Sequence, residues 1–146
     1  MNKEQTVTEL DTIVFFDRDV TGKEIEALSD KSLTVVVTGN LSLDEDLYFK
    51  GNLYVEGNIN GKSDVNIYGS LVCEEIECYY LSITEDLDCS ECDASFIWVD
   101  GTFNVEHKVT GCVLEILGSF CAEEVFAIPS DESLPASVSM NIRNYG

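Results

Sequence analysis

The sequence predicts an all-β fold: a single-domain parallel β-solenoid of about six coils, right-handed, with an N-terminal cap that contains a short helix. Two observations carry that prediction. One short pattern, apolar-x-apolar-x-Gly-x-Leu/Phe-x-apolar, recurs as VVVTGNLSL, LYFKGNLYV, VNIYGSLVC, LSITEDLDC, IWVDGTFNV and LEILGSFCA. Stacked on one another, the copies give apolar columns separated by polar ones, and this alternation of period two marks strands with one buried face.

The copies begin at Val35, Leu47, Val65, Leu81, Ile97 and Leu114, so the spacing runs from 12 to 18 residues. Aligned on the glycine, one column reads Val35, Leu47, Val65, Leu81, Ile97, Leu114, and the first column after the glycine reads Leu41, Leu53, Leu71, Leu87, Phe103, Phe120. The central column is Gly39, Gly51, Gly69, Gly101 and Gly118, with Glu85 the exception. A residue without Cβ there permits a sharp corner between two short strands. A less regular third side would place Ile59, Ile76, Cys92, Val109 and Val125 inward. Coils of variable length suit a right-handed β-helix better than the strict hexapeptide left-handed kind, in agreement with the right-handed crossover rule.

Residues 1–34 precede the repeat and are expected to cap it, because an open solenoid end exposes unpaired backbone. Within them Thr21-Gly-Lys-Glu24 matches a capping box, followed by Ile25 and Leu28 on one helical face. Residues 35–127 form the coils, a rod about 30 Å long at the usual strand spacing. Residues 128–146 hold Pro129 and Pro135 and form a tail or second cap, since proline does not continue a parallel stack.

Composition bounds the function. The 146 residues carry 28 acidic and 8 basic side chains, a formal charge of −20. That balance excludes nucleic acid and anionic lipid as natural partners, because both demand a positive surface. No apolar run approaches the roughly 18 residues of a membrane span, and MNKEQTVTELDT does not read as a signal peptide. The expected location is the cytoplasm. Cys73, Cys89 and Cys92 read as small inward apolar residues, and Cys89-Ser-Glu-Cys92 alone is a weak metal signal. Reduced cysteines, no metal and no cofactor are expected. The single histidine, His107, has no serine or cysteine partner in any catalytic spacing, and no phosphate loop is present, so enzyme activity is not expected.

The column after the second strand reads Asp44, Glu56, Glu74, Ser90, Glu106, Glu123. Stacked like charges oppose folding, so a strip of them serves either solubility or electrostatic docking of a basic protein. Tyr48, Tyr54, Tyr68 and Trp98 point outward and would add aromatic contacts. The leading expectation is a non-enzymatic binding module, an inhibitor, immunity or adaptor protein. Its docking surface would be Asp44, Glu56, Glu74, Glu106 and Glu123 with those aromatic residues. A calcium-dependent or carbohydrate-binding β-helix is a further alternative, although the repeat-toxin calcium motif is absent.

The G-x-L-x-V rhythm of LYFKGNLYVEGNING and VNIYGSLVC, over roughly residues 35–125, resembles the bactofilin family of polymer-forming β-helical proteins. The resemblance implies homo-oligomerisation end to end through bare solenoid ends. The folded look of the N-terminal segment and the long acidic turns depart from that pattern and favour a capped monomer.

Overall fold

The computed structural model describes residues 12–29 and 33–127. The chain winds into a parallel β-solenoid of about seven turns, its strands forming one 15-stranded sheet with three sides. The first turn consists of β1 (Thr12–Phe16), β2 (Val20–Thr21) and helix α1 (Gly22–Glu26). The second has β3 (Leu33–Val37), β4 (Leu41–Ser42) and β5 (Leu47–Lys50), and the third has β6 (Asn52–Val55), β7 (Asn58–Asn60) and β8 (Asp64–Tyr68). Then follow β9 (Leu71–Val72), β10 (Glu75–Ile83), β11 (Leu87–Val99), β12 (Phe103–Gly111), β13 (Val113–Ile116), β14 (Phe120–Cys121) and β15 (Glu124–Ala127). The long strands β10, β11 and β12 run around corners and serve more than one side.

The register shows which residues share a column. On the first side Val14 pairs with Val35, Val35 with Leu53, Leu53 with Leu71, Leu71 with Leu87, and Leu87 with Phe103. On the second side Val20 pairs with Leu41, Leu41 with Ile59, and Ile76 with both Ile59 and Cys92. Val109 and Val125 continue that column, as the spacing predicts. On the third side Leu47 meets Val65, then Leu81, Ile97 and Leu114. From Val35 to Leu114 these inward columns are almost wholly buried; Val14 in the first turn is partly buried, and at the far end Val125 is exposed. Each buried aliphatic side chain contributes about 2 kcal/mol by leaving water. Among the described residues no polar or charged residue is buried, so the core is packed from apolar side chains and thiols.

Val35 stacks on Leu53, not on Leu47, and Leu41 stacks on Ile59, not on Leu53. The first copy is displaced by one side of the triangle. Two apolar pairs joined by a glycine describe any corner of the solenoid, and Gly39 belongs to a different corner from Gly51. The true rise from one turn to the next is 21 residues at the first step, 18 at the next and 16 further along. The 12-residue spacing from Val35 to Leu47 is a step between sides rather than between turns.

The helix forms where the first turn lacks a third-side strand. Thr21 is its N-cap: the Thr21 Oγ1 accepts from the Glu24 N–H at 3.4 Å, and the Thr21 N–H donates to Glu24 Oε1 at 3.0 Å. Arg18 Nη1 donates to the same carboxylate at 3.3 Å, and its hydrogen bonds hold the Glu24 carboxyl down to about 2. Ile25 is fully buried and Leu28 packs against the core. Beside the helix, β5 would otherwise show a bare edge. The Tyr48 N–H instead donates to Glu26 Oε1 at 3.3 Å and the Lys50 N–H to Ser29 Oγ at 2.7 Å. Side chains thus replace the missing strand. The segment 128–146 lies outside the described residues.

Candidate binding surface

Three corners separate the sides, and they differ in chemistry. Where the third side of one turn meets the first side of the next stand Gly51, Gly69, Glu85, Gly101 and Gly118. Their backbones approach so closely that a Cβ on Gly69 would collide with the Gly51 carbonyl, and one on Gly118 with that of Gly101. The residue after each of these is Asn52, Ser70, Asp86, Thr102 or Ser119. Asn52 Oδ1 accepts from the Ser70 N–H at 3.0 Å, Ser70 Oγ from the Asp86 N–H at 3.3 Å, and Asp86 Oδ1 from the Thr102 N–H at 2.8 Å. Short oxygen-bearing side chains thus stitch each turn to the next.

The corner between the first and second sides begins in the same way. Asp19 Oδ1 accepts from the Asn40 N–H and Asn40 Oδ1 from the Asn58 N–H, both at 2.8 Å. Above Asn58 that column continues as Glu75, Glu91, Lys108 and Glu124. Glu56, Glu74, Glu106 and Glu123 follow this corner as predicted, with Ser90 between them. The Ser90 hydroxyl lies 3.0 Å from Glu74 Oε2 and 3.2 Å from Glu106 Oε1, with one proton for the two carboxylates. His107 Nδ1 lies 3.5 Å from Glu123 Oε1 on the exposed end of the strip.

Asp44 does not join them. Because the first copy is displaced by one side, Asp44 falls with Glu45 and Asp46 on the corner between the second and third sides, against α1. There Lys23 Nζ reaches Glu45 Oε2 at 3.4 Å, an exposed pair of small energetic weight. The four aromatic residues do not form one patch either. Tyr48, aligned with Asn66, Tyr68, aligned with Lys50, and Trp98, aligned with Ser82 and Glu115, lie on the third side. Tyr54 lies on the first side between Val36 and Val72.

A further group of negative charges sits on the second side, next to the glutamate corner, outside the site that the sequence predicts. Glu75 pairs directly with Glu91, and Glu77 with Asp93, all facing outward on β10 and β11. Carboxylates in register on parallel strands have Cα atoms about 4.8 Å apart. Lys108 follows Glu91 on the next turn and Glu124 follows Lys108, so a single base interrupts that row. At the far edge of this side Tyr79, Tyr80 and Phe96 cluster. Tyr79 meets Phe96 edge to face at 5.6 Å, and Tyr79 is half exposed. The signal was present in the sequence as the column Glu75, Glu91, Glu124, but its neighbour Glu77, Asp93 lies on the irregular third segment of each repeat, which the nine-residue pattern omits.

Beneath the glutamate corner lie thiols. Cys73, Cys89 and Cys92 are buried and free. Hydrogen bonds from the Cys73 and Cys92 thiols favour the Cys89 thiolate and pull its pKa down, while the same bonds and burial push Cys73 and Cys92 up. Among the described residues no group of His, Cys, Asp and Glu side chains is arranged to hold a metal ion. No described helix is long and apolar enough to cross a membrane.

The fold and this surface together define an acidic parallel β-solenoid, a β-helical repeat protein. No protein-family model matches the chain, nor does any curated protein or solved structure with which it was compared.

Proposed function

We propose that this chain is a non-enzymatic binding module, an inhibitor or adaptor, that docks a basic protein on its second side and glutamate corner. The observation that carries the reading is the in-register pairing of Glu75 with Glu91 and of Glu77 with Asp93. Like charges directly opposite one another weaken a sheet. The fold has no need of them, because at the glycine corner the neutral Ser70 hydroxyl stitches the same two turns together. A strip of negative potential beside an exposed aromatic cluster suits a basic partner, speeding encounter and supplying apolar contact once docked. The tyrosines at 79 and 80 take the role that the sequence reading gave to Tyr48, Tyr54, Tyr68 and Trp98.

The test is retention of basic proteins from source-cell extract at low salt, compared between two double reversals. Glu75→Lys with Glu91→Lys should abolish retention, whereas Asp44→Lys with Glu45→Lys, the same change in net charge on another corner, should leave it intact. Equal losses in both variants would mean diffuse charge attraction and sink the docking surface. Association of the chain with itself that persists in high salt would replace this reading with a self-assembling solenoid.

A further inference from the structure

The thiols under the glutamate corner are arranged for chemistry that the docking reading does not use. Cys73 and Cys89 occupy the same inward column on consecutive turns, following the pairs Leu71 with Leu87 and Val72 with Asp88. The Cys73 N–H donates to the Asp88 carbonyl at 3.1 Å, which fixes that register. Neighbours of this kind have Cα atoms about 4.8 Å apart, inside the roughly 4.4–6.8 Å that a disulfide spans. Cys92 lies across the corner on the second side, in register with Ile76 and equally inward. Cys89 is therefore central, one turn above Cys73 in the same column and on the same strand as Cys92 across the corner.

Access comes from the corner itself. Cys73 and Cys89 line a crevice with Ser90, Asn104, Glu106, Ala122 and the exposed Cys121, and they are 6% and 4% exposed, against 2% for Cys92, which does not line it. That residual exposure is to a molecule the size of water, and hydrogen peroxide is little larger. The same column carries Val55 below and Val105 above, so apolar filling alone would be served by valine.

We propose that Cys89 is a modification site for small peroxides, which convert it to a sulfenic acid that closes a disulfide with Cys73 or Cys92. The Cys89 thiolate attacks one peroxide oxygen, the O–O bond breaks and the second oxygen leaves as water after taking up a proton. The neighbouring thiol then attacks the Cys89 sulfur, the S–O bond breaks, and hydroxide departs with the thiol proton as a second water. Two electrons pass from the two sulfurs to the peroxide. A bond from Cys89 to Cys73 locks two turns together, and a bond to Cys92 locks the corner. The favoured Cys89 thiolate supports this order of attack, since the thiolate is the reactive form. The inference stands apart from docking and survives its failure.

The experiment uses the full chain carrying Cys121→Ser, which removes the exposed thiol and its intermolecular disulfides. After hydrogen peroxide the intact mass should fall by about 2 Da, the two hydrogens lost with each disulfide, and dithiothreitol should restore it. Cleavage after Glu91 without reduction should leave Cys89 covalently joined to the peptide of Cys73 or of Cys92. Cys89→Val, whose side chain matches its neighbours in the column, should keep the fold by circular dichroism and lose the mass change. An unchanged mass, a disulfide that omits Cys89, or a 2 Da loss that persists in folded Cys89→Val overturns the proposal.

Discussion

The glycine corner and the glutamate corner bound the same first side of the solenoid, yet they obey different rules. At the glycine corner the backbone leaves no choice. Gly51 has φ 142° and Gly69 stacks against the Gly51 carbonyl with no room for a side chain. Glu85 is admitted because among the described residues only glycines take positive φ, so its own backbone is ordinary. The residue that follows carries a short oxygen at every turn, and at Asn52, Ser70 and Asp86 that oxygen takes the N–H of the turn above. The glutamate corner starts with the same device, at Asp19, Asn40 and Asn58, and then abandons it. From Glu75 onward the column of Asn58 is taken by the longer side chains of Glu75, Glu91, Lys108 and Glu124. The difference separates what the fold requires from what it merely tolerates.

The largest effect is expected where the fold has no alternative. Gly69→Val puts a branched side chain against backbone that cannot move without shifting the turn below, and it should cost about 3 kcal/mol by urea denaturation. A loss below about 1 kcal/mol, at the foot of the range for overpacking, would show that the glycine corner is softer than its geometry implies. A smaller loss is expected from Asn52→Ala. It removes the acceptor of the Ser70 N–H, a bond of 3.0 Å in a partly buried place, and should cost about 1 kcal/mol in the same titration. Glu74→Ala at the other corner, where the carboxylate meets only the exposed Ser90 hydroxyl, should cost much less. If the two alanine variants lose equally, the distinction between the corners fails.

Much of this was legible in the sequence, and the illegible parts have physical reasons. The parallel stack, the apolar columns from Leu47 onward, the inward third segment from Ile59 to Val109 and the capping box at Thr21 all follow from local pattern, whereas Val125, expected inward, is exposed at the open end. Alternation and capping are enforced residue by residue, so one chain suffices to show them. The register of Val35 is set instead by which corner its glycine turns, and Gly39 and Gly51 look alike in one dimension. The shortened spacing to Leu47 was the available clue. That error carried Asp44 into the wrong column. The outward pairs Glu75 with Glu91 and Glu77 with Asp93 lie on the segment of least regular length, where a bulge between Cys89 and Glu91 shifts the register against the next turn. Tyr48 and Tyr54 are close in sequence but sit on different sides, because the chain turns a corner at Gly51 between them.

The smallest expected effect is the most informative about function. Glu75→Gln with Glu91→Gln removes a pair of like charges from adjacent strands while keeping size and hydrogen-bonding capacity. If the fold bears these charges only at a cost, the double variant should be more stable by roughly 0.5 kcal/mol. The gain should shrink as salt is raised, because both groups are open to solvent and salt already screens them. Asp44→Asn with Glu45→Asn should not gain, since Glu45 loses its Lys23 partner. A second-side variant that is more stable and yet loses the basic partner would mark these carboxylates as kept for binding against the interest of the fold. A second-side variant that is less stable would mean that the row is structural after all, with Lys108 as the counter-charge that makes it so.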